Sequence, residues 1–528
     1  MPEIITYDTT LRDGTQREGV SLSLEDKLRI ATRLDELGID YIEGGFLGSN
    51  PKDSAFFSAY AEEKLALRHA QLAVFGLPAR KGVLPAEDTA LQELAECAAP
   101  VVTLVGKTSK KQVLNVLQTS EVENLRMIYE SVSYLRERGK RVFFDAEHFF
   151  DGYYEDTQYA FEVLVAAMEA GAEYIVLADT NGGTLPHQVF DITKETVSAL
   201  ESAYEEVSVG IHAHNDSGCG VANSIQAVLA GARMVQGTIN GYGERVGNAN
   251  LLTIIANLEL KLGYTTIGQE RLSQLTALSR YVADTMNVVR DAYAPYVGEH
   301  AFTHKGGMHV SAETRMKGAY QHIDPAVVGN FSHIVMSELA GRAALEIKVG
   351  ELGFDTTRLT SDKRGAILET IKQREAEGYS YEAADASLTL LIEDELDSKP
   401  QYFVLESFRV ISERRPDGGE STEATIKIHV GEERFIATAE GNGPVNALDK
   451  ALRAAITRFY PQIEALELID FKVRVLDGST GTGAVTRVFI ETSDSAESWG
   501  TVGVSENIID ASWDALVDAI TYGLMKGV

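Results

Sequence analysis

Short apolar, β-branched runs alternate with amphipathic stretches from the start of the chain. Ile4–Tyr7, Tyr41–Gly44, Leu72–Phe75, Val101–Val105, Arg141–Phe144, Tyr174–Leu177, Val207–Ile211 and Met234–Thr238 read as strands. Between them, apolar residues recur at helical spacing over Leu24–Leu37, Val122–Arg138, Tyr159–Ala170, Gln188–Glu205 and Val221–Ala230. Strands alternating with helices over roughly 260 residues predict an α/β protein built on a (β/α)8 TIM barrel. The competing arrangement is an open doubly wound sheet. It would more often carry a glycine-rich phosphate turn after the first strand, and Gly-x-Gly-x-x-Gly is absent there.

The pattern changes twice further on. From Leu251 to about Ala386 helical segments dominate, including Gln269–Met286 and Lys363–Glu377, around a glycine- and histidine-rich loop, Gly298–Gly307. From about Ser387 the chain reads as strand-rich and weakly repeated. The first copy has strands near Phe403–Ile411, Ala424–His429 and Phe435–Ala439, then a helix at Val445–Phe459. The second has strands near Leu466–Leu476, Thr486–Glu491 and Thr501–Val504, then a helix at Ile508–Met525. Both helices carry Ala-Leu-x-x-Ala-Ile, at Ala451 and Ala515. A duplicated βββα unit predicts an α+β domain whose copies pack together. The expected division is therefore a catalytic barrel over 1–265, a helical linker region over 266–386 and a C-terminal regulatory or dimerisation domain over 387–528.

Composition narrows the partners. The chain has 528 residues and a formal charge of −30. An acidic surface disfavours nucleic acid and anionic membranes, both of which need basic patches. Two cysteines, Cys97 and Cys219, cannot make a disulfide framework and fit a reducing compartment. The first residues show no signal-peptide pattern, and no apolar run spans a bilayer. The expected location is the cytoplasm.

Chemistry collects where the strands end. In a barrel of this kind the active site lies at the C-terminal ends of the strands. His212 and His214 stand two apart on a strand and so project from one face. An isolated His-x-His is more often a pair of strand histidines with ordinary hydrogen bonds. Here the other strand ends are polar as well. Asp8, Arg12, Asp13 and Gln16 follow the first strand, Asp145, Glu147 and His148 the fifth, Asp179, Thr180 and Asn181 the sixth, and Asn240 to Asn248 the eighth. Asp13, His212, His214 and Asn248 together offer mixed oxygen and nitrogen ligands for Mn²⁺, Mg²⁺, Co²⁺ or Zn²⁺. Open positions on such an ion would let a carbonyl and carboxylate chelate it. Arg12 could stabilise an oxyanion. Glu244 and Arg245 read as a structural pair bracing the loop before Asn248. Asp179 reads as a turn cap, and Glu43 as either a site residue or a buried structural acid.

Three motifs, Leu11-Arg12-Asp13-Gly14-Thr-Gln16, His212-Ala-His214-Asn-Asp and Thr238-Ile-Asn-Gly-Tyr-Gly-Glu-Arg-Val-Gly-Asn248, resemble those of the α-isopropylmalate synthase, homocitrate synthase and citramalate synthase family. The resemblance implies a metal-dependent barrel that condenses acetyl-CoA with a 2-oxo acid, followed by a linker and a regulatory domain. It implies metal ligation by Asp13, His212, His214 and Asn248, and substrate binding by Arg12, Gln16 and Thr180. Glu147 matches the family's proton-transfer acid. His309, in Gly-Gly-Met-His-Val, matches a histidine that reaches a partner subunit's site, with Tyr320 beside it, which implies a homodimer. Gly44–Asp53 and Phe144–Gly152 resemble the citramalate branch, with pyruvate as the 2-oxo acid and isoleucine as effector. Departures are Phe46-Leu47 where that branch often has Trp-Pro, and Val310-Ser311 where the family has Gln-Asp. The alternatives are the same chemistry on another 2-oxo acid, a lyase of the hydroxymethylglutaryl-CoA type, and a non-catalytic sensor. The glycine-rich loops Asp477–Gly483 and Glu440–Gly443 offer backbone groups for a small zwitterion.

Overall fold

The alternating runs close into one all-parallel barrel, in chain order, with the last strand returning to the first. The strands are β1 (Ile5–Asp8), β2 (Tyr41–Phe46), β3 (Gln71–Gly76), β4 (Val101–Lys107), β5 (Arg141–Glu147), β6 (Tyr174–Asp179), β7 (Ser208–Ala213) and β8 (Met234–Gly237). The structure is a computed structural model that describes residues 2–527 apart from 49, 203, 205–207, 306, 335, 337–340, 415, 417–419, 477–482 and 495. Val207 and most of the loop from Asp477 to Gly483 thus lie outside the described residues.

Parallel strands wrapped in helices are buried on both faces. Outward side chains such as Ile42, Leu72, Val102, Phe144, Leu177 and Ile211 join the helices in the main core. Inward ones, Tyr7, Tyr41, Ala73, Val101, Phe143, Val176 and Met234, form a separate apolar plug inside the barrel. Tyr41 and Tyr174 meet Phe143 edge-on, with centroids 5.0 and 4.9 Å apart. Side chains repeat every two residues on a strand. The next inward position after Tyr41, Val101, Phe143 and Met234 is therefore Glu43, Thr103, Asp145 and Gln236, all buried. On β7 the residue two before His212 is Gly210. A Cβ there would stand 3.1 Å from Val176 and 3.3 Å from Met234. Small size at Gly210 lets the neighbouring plug residues close beneath the histidine.

The barrel unit extends past β8. The helix Leu251–Lys261, a 3₁₀ turn at Gln269–Gln274 and the helix Leu275–Thr285 follow. Leu272, Leu275, Val282, Tyr296 and Phe302 belong to the barrel's core. The compact unit runs to Phe302 and takes in Ile323–Phe331. Among the described residues, no helix is long and apolar enough to cross a membrane.

The second unit comprises Thr303–His322 and Ser332–Val528. The loop read at Gly298–Gly307 contains a two-residue strand, Thr303–His304, paired in parallel with His333–Ile334. The helices Arg342–Glu351, Ser361–Ala376 and Asp385–Glu395 follow. The last differs from the strand-rich reading at Ser387. Its run Ala386–Leu390 is buried continuously, so it carries no amphipathic stripe and its period is silent about helix or strand. Two βββα copies complete the unit. The first is β9 (Val404–Arg414), β10 (Glu420–Val430), β11 (Glu433–Gly441) and the helix Pro444–Ile456. The second is β12 (Glu467–Val475), β13 (Thr486–Ser493), β14 (Ser498–Ser505) and the helix Ile508–Lys526. Ile426, Leu448, Val488, Trp499 and Leu516 of both copies share one core.

Candidate metal and substrate site

Asp13, His212 and His214 converge at the C-terminal rim of the barrel, all buried and all lining a cavity of about 420 Å³. His212 Nε2 lies 3.4 Å from Asp13 Oδ2 and 3.4 Å from His214 Nε2. Asn248 pairs with His214 through a short β-bridge. Its amide nitrogen donates to the Tyr242 carbonyl at 3.0 Å, while its Oδ1 is buried with no hydrogen-bond partner. A buried oxygen without a donor is costly in a finished site. One orphan oxygen beside a carboxylate and two imidazoles is the donor set of a divalent cation. The residues present fit the metal.

The loop that delivers Asn248 depends on glycine. At Gly243, φ is +154° and a Cβ would stand 2.3 Å from the Asn248 amide. At Gly247, φ is +99° and a Cβ would stand 2.0 Å from the Gly241 carbonyl. Arg245, the residue read as paired with Glu244, grips Asp216 more closely, at 2.7 and 2.9 Å, and the Thr180 carbonyl at 3.0 Å. Glu244 stands 4.0 Å away. The brace therefore links the β8 loop to those after β6 and β7. Asp179 does hold its turn, accepting from Thr184 Oγ1 at 2.8 Å.

Charges at the rim are arranged as alternating signs. Glu43 is fully buried, accepting from Arg12 Nε at 2.5 Å and from the Tyr7 hydroxyl at 2.9 Å. It is thus a buried acid that fixes a site residue. Arg12 lies 4.1 Å above the Phe75 ring and 3.7 Å from Asp13. Burial works against Asp13's charge, but Arg12 and the two histidines outweigh it and hold the carboxyl well below its usual range. Burial likewise opposes a charged His212, and Asp13 outweighs it, so that imidazole sits above its usual range. Burial and the neighbouring His212 push His214 down to about 4. Burial raises Asp145 to about 7.

Arg12, Gln16, Glu147 and Thr180 line the same cavity. Glu147 pairs with Lys107 from the end of β4 at 2.5 Å. The next residue, His148, has φ of +59°, an uncommon conformation for a non-glycine. Its backbone N–H donates to Thr180 Oγ1 at 2.8 Å, tying the ends of β5 and β6 together. His309 and Tyr320 belong to the second unit, where their rings stack with centroids 4.0 Å apart.

Sequence reading missed the support beneath these groups. Gln236 donates to Asp145 at 3.0 Å, and its oxygen faces His212 Nδ1 at 2.9 Å. An amide oxygen only accepts, so Nδ1 carries the hydrogen and Nε2 is left to ligate. The one available signal was Gln236 standing two residues after Met234 in an apolar strand. Asp53, held by the buried Lys27 at 2.5 Å, accepts from the Phe46 N–H at 2.9 Å and so positions the Phe46 wall.

Comparison with known proteins places the chain in a family. The HMGL-like family profile matches residues 3–282, a homocitrate synthase post-HMGL domain-like profile 296–378, and the LeuA allosteric (dimerisation) domain 382–524. The (R)-citramalate synthase of Streptomyces coelicolor is 49% identical, across 98% of this chain and 96% of its own. That of Aquifex aeolicus is 50% identical, across 99% and 98%. The chain belongs to the (R)-citramalate synthase family. A 2-isopropylmalate synthase from Methanocaldococcus jannaschii, by contrast, is 30% identical across 99% of this chain and 95% of its own. The family's barrel match ends within the helix Leu275–Thr285, and its allosteric domain takes in both βββα copies.

Gln236→Leu removes the acceptor that sets the His212 tautomer. Metal affinity is expected to fall about 10–100-fold, measured by calorimetric titration of Mn²⁺ into metal-free protein. In the unmodified protein affinity falls as pH drops through the raised His212 range, because the ion must displace that proton. Unchanged affinity in the variant would show that Gln236 does not orient the ligand.

Proposed function

We propose that the protein is a citramalate synthase. It condenses acetyl-CoA with pyruvate and water to give (R)-citramalate and CoA, in isoleucine biosynthesis. The reading is carried by one coincidence: near-full-length identity to (R)-citramalate synthases, and a rim that gathers ligands, Arg12, Glu147 and Thr180 around one cavity.

Asp13, His212, His214 and Asn248 hold the divalent metal, Mn²⁺, Mg²⁺, Co²⁺ or Zn²⁺, which when bound polarises the ketone of the 2-oxo acid. Arg12, locked by Glu43, stabilises the negative charge that develops on the ketone oxygen. Thr180 accepts from His148, which leaves its own hydroxyl hydrogen free for the substrate carboxylate. Gln16, exposed at the cavity mouth, adds a further donor. Glu147 and the partner's His309 form the acid–base pair that removes a methyl proton from acetyl-CoA. The resulting enolate carbon bonds to the ketone carbon, and water cleaves the thioester to release CoA.

Phe46 and Phe75 meet edge-on at 5.5 Å and form an apolar wall of the cavity with Val105. Such a wall accepts a methyl group and crowds a longer alkyl chain. A second cavity of about 520 Å³ adjoins the same loops, since Arg17 follows Gln16 and lies 5.3 Å from the Tyr242 ring. Arg17, Arg280 and Arg290 line it against Asp291 and Glu299. In an acidic protein this concentration of guanidinium suits the phosphates of CoA. The match to an allosteric and dimerisation domain supports a homodimer under allosteric control, for which isoleucine is the effector of this reading. Tyr320 is half exposed and His309 exposed, as a pair presented to a second subunit must be.

Thiol release from acetyl-CoA with a panel of 2-oxo acids tests the assignment. Pyruvate is expected to give the highest kcat/KM, and a tenfold advantage for 2-oxoisovalerate would make the enzyme an isopropylmalate synthase. Phe46→Ala is expected to raise the 2-oxoisovalerate-to-pyruvate ratio by about 10-fold or more; an unchanged ratio removes the wall from the account. In the same assay Arg280→Ser raises KM for acetyl-CoA while KM for pyruvate holds, and equal effects on both would place CoA elsewhere. Subunit mixing tests the dimer. Inactive His309→Ala and Asp13→Ala proteins, once exchanged, are expected to regain part of the activity. No recovery after proven exchange would mean that each site is built within one chain.

A further inference from the structure

Side chains alternate along a strand, so the inward positions of β4 are Val101, Thr103, Val105 and Lys107. Val101 belongs to the apolar plug and Val105 lines the rim cavity, which puts Lys107 one step further out, at the mouth. In the register of β4 on β5, Lys107 stands beside Glu147. Its ammonium lies 2.5 Å from Glu147 Oε2, and the two side chains are only 17% and 25% exposed. A pair this sheltered, at the edge of the cavity that Glu147 lines, differs from a solvated surface bridge.

The backbones of both partners are pinned. Thr108, fully buried, donates its N–H and its hydroxyl to the Glu147 carbonyl, at 3.1 and 2.6 Å. Asn124, buried on the helix Glu121–Glu137, donates to the Lys107 carbonyl at 2.9 Å. Gly106 faces outward between them, where a Cβ would stand 2.7 Å from the Phe144 ring. Its missing side chain lets the end of β4 lie close on the core. The other cations at the rim are already held, Arg12 by Glu43, and Arg245 by Asp216 and the Thr180 carbonyl. An ammonium has three N–H donors. One of Lys107's faces Glu147, and among the described residues it has no second acceptor.

The inference rests on the condensation proposed above, in which acetyl-CoA loses a methyl proton. The electron pair left behind spreads onto the thioester oxygen, and the groups assigned to the 2-oxo acid leave that oxygen without a donor. We propose that Lys107 is a catalytic residue that holds Glu147 and donates a second N–H to the thioester oxygen of acetyl-CoA. The methyl C–H bond breaks, and its proton goes to the Glu147 carboxylate. The freed pair forms the C=C bond of the enolate, and the carbonyl π pair moves onto the oxygen. Lys107 keeps all its protons. Negative charge thus leaves Glu147 and appears on the oxygen with one fixed cation beside both positions, so little reorganisation accompanies the transfer.

The test measures thiol release by the full-length protein with Mn²⁺ and pyruvate, using acetyl-CoA and its form with a deuterated methyl group. Lys107→Met is expected to lower kcat about 100-fold, while KM for pyruvate changes less than threefold. The isotope effect on kcat is expected to rise, because proton removal becomes the slow step. Lys107→Arg is expected to recover at least tenfold of the loss. Two unreactive analogues, titrated by calorimetry, separate contact with the oxygen from placement of Glu147. Carboxymethyl-CoA presents an anionic oxygen and acetonyl-CoA a neutral one. Lys107→Met is expected to weaken the anionic analogue at least tenfold more than the neutral one. A kcat within threefold of the unmodified protein overturns the proposal. Equal weakening of the two analogues overturns it as well, and leaves Lys107 as a positioning residue for Glu147. Absence of thiol release by the unmodified protein with any 2-oxo acid overturns the condensation itself, and this role with it.

Discussion

A buried carboxylate underlies the polar rim of the barrel. Glu43 has no exposed surface, and an anion there without partners would be strongly destabilising. Arg12 and Tyr7 supply the partners, and the ion pair in turn lays Arg12 across Phe75 beside Asp13. Asp13 then faces His212, whose other nitrogen is held by Gln236, which is held by Asp145. Each member stabilises the next, so the rim behaves as one network. Removing a single charge would leave its neighbour buried and uncompensated.

Much of this was legible as period. A β-strand displays every second residue on one face, so His212 with His214, and Asp145 with Glu147, could be placed together before any coordinates. The convergence of polar residues at strand ends followed from barrel architecture. What stayed hidden were partners chosen by three-dimensional proximity. Arg245 sits next to Glu244 in the chain yet pairs with Asp216, because a left-handed turn at Arg245 sends its side chain across to the neighbouring loop. Gln236 lay unnoticed because one polar residue in an apolar strand has no local signature of purpose. The helix Asp385–Glu395 went unnamed at the edge of the strand-rich region because its continuously buried run erases the spacing that marks a helix.

The apolar wall is positioned from outside the cavity. Phe46 does not choose its own position. Its backbone N–H is pinned by Asp53, and Asp53 is neutralised by Lys27 from the first helix of the barrel. The sequence around it, Phe46-Leu47, departs from the branch's usual pair, while Asp53 and Lys27 hold the wall from behind. The place of the Phe46 ring is therefore set by a buried ion pair as much as by its contact with Phe75.

The Gln236 amide bears on how tightly an ion would be held at this site. A carboxylate directly behind a ligating imidazole pushes electron density onto it and strengthens the bond to the metal. Here that push is relayed through a neutral dipole, with the Asp145 charge one residue removed. An ion on that imidazole would be held by a correspondingly softer clamp and would leave more readily. Occupancy of such a centre would follow the free concentration of each competing cation at the moment, rather than the one captured first during folding.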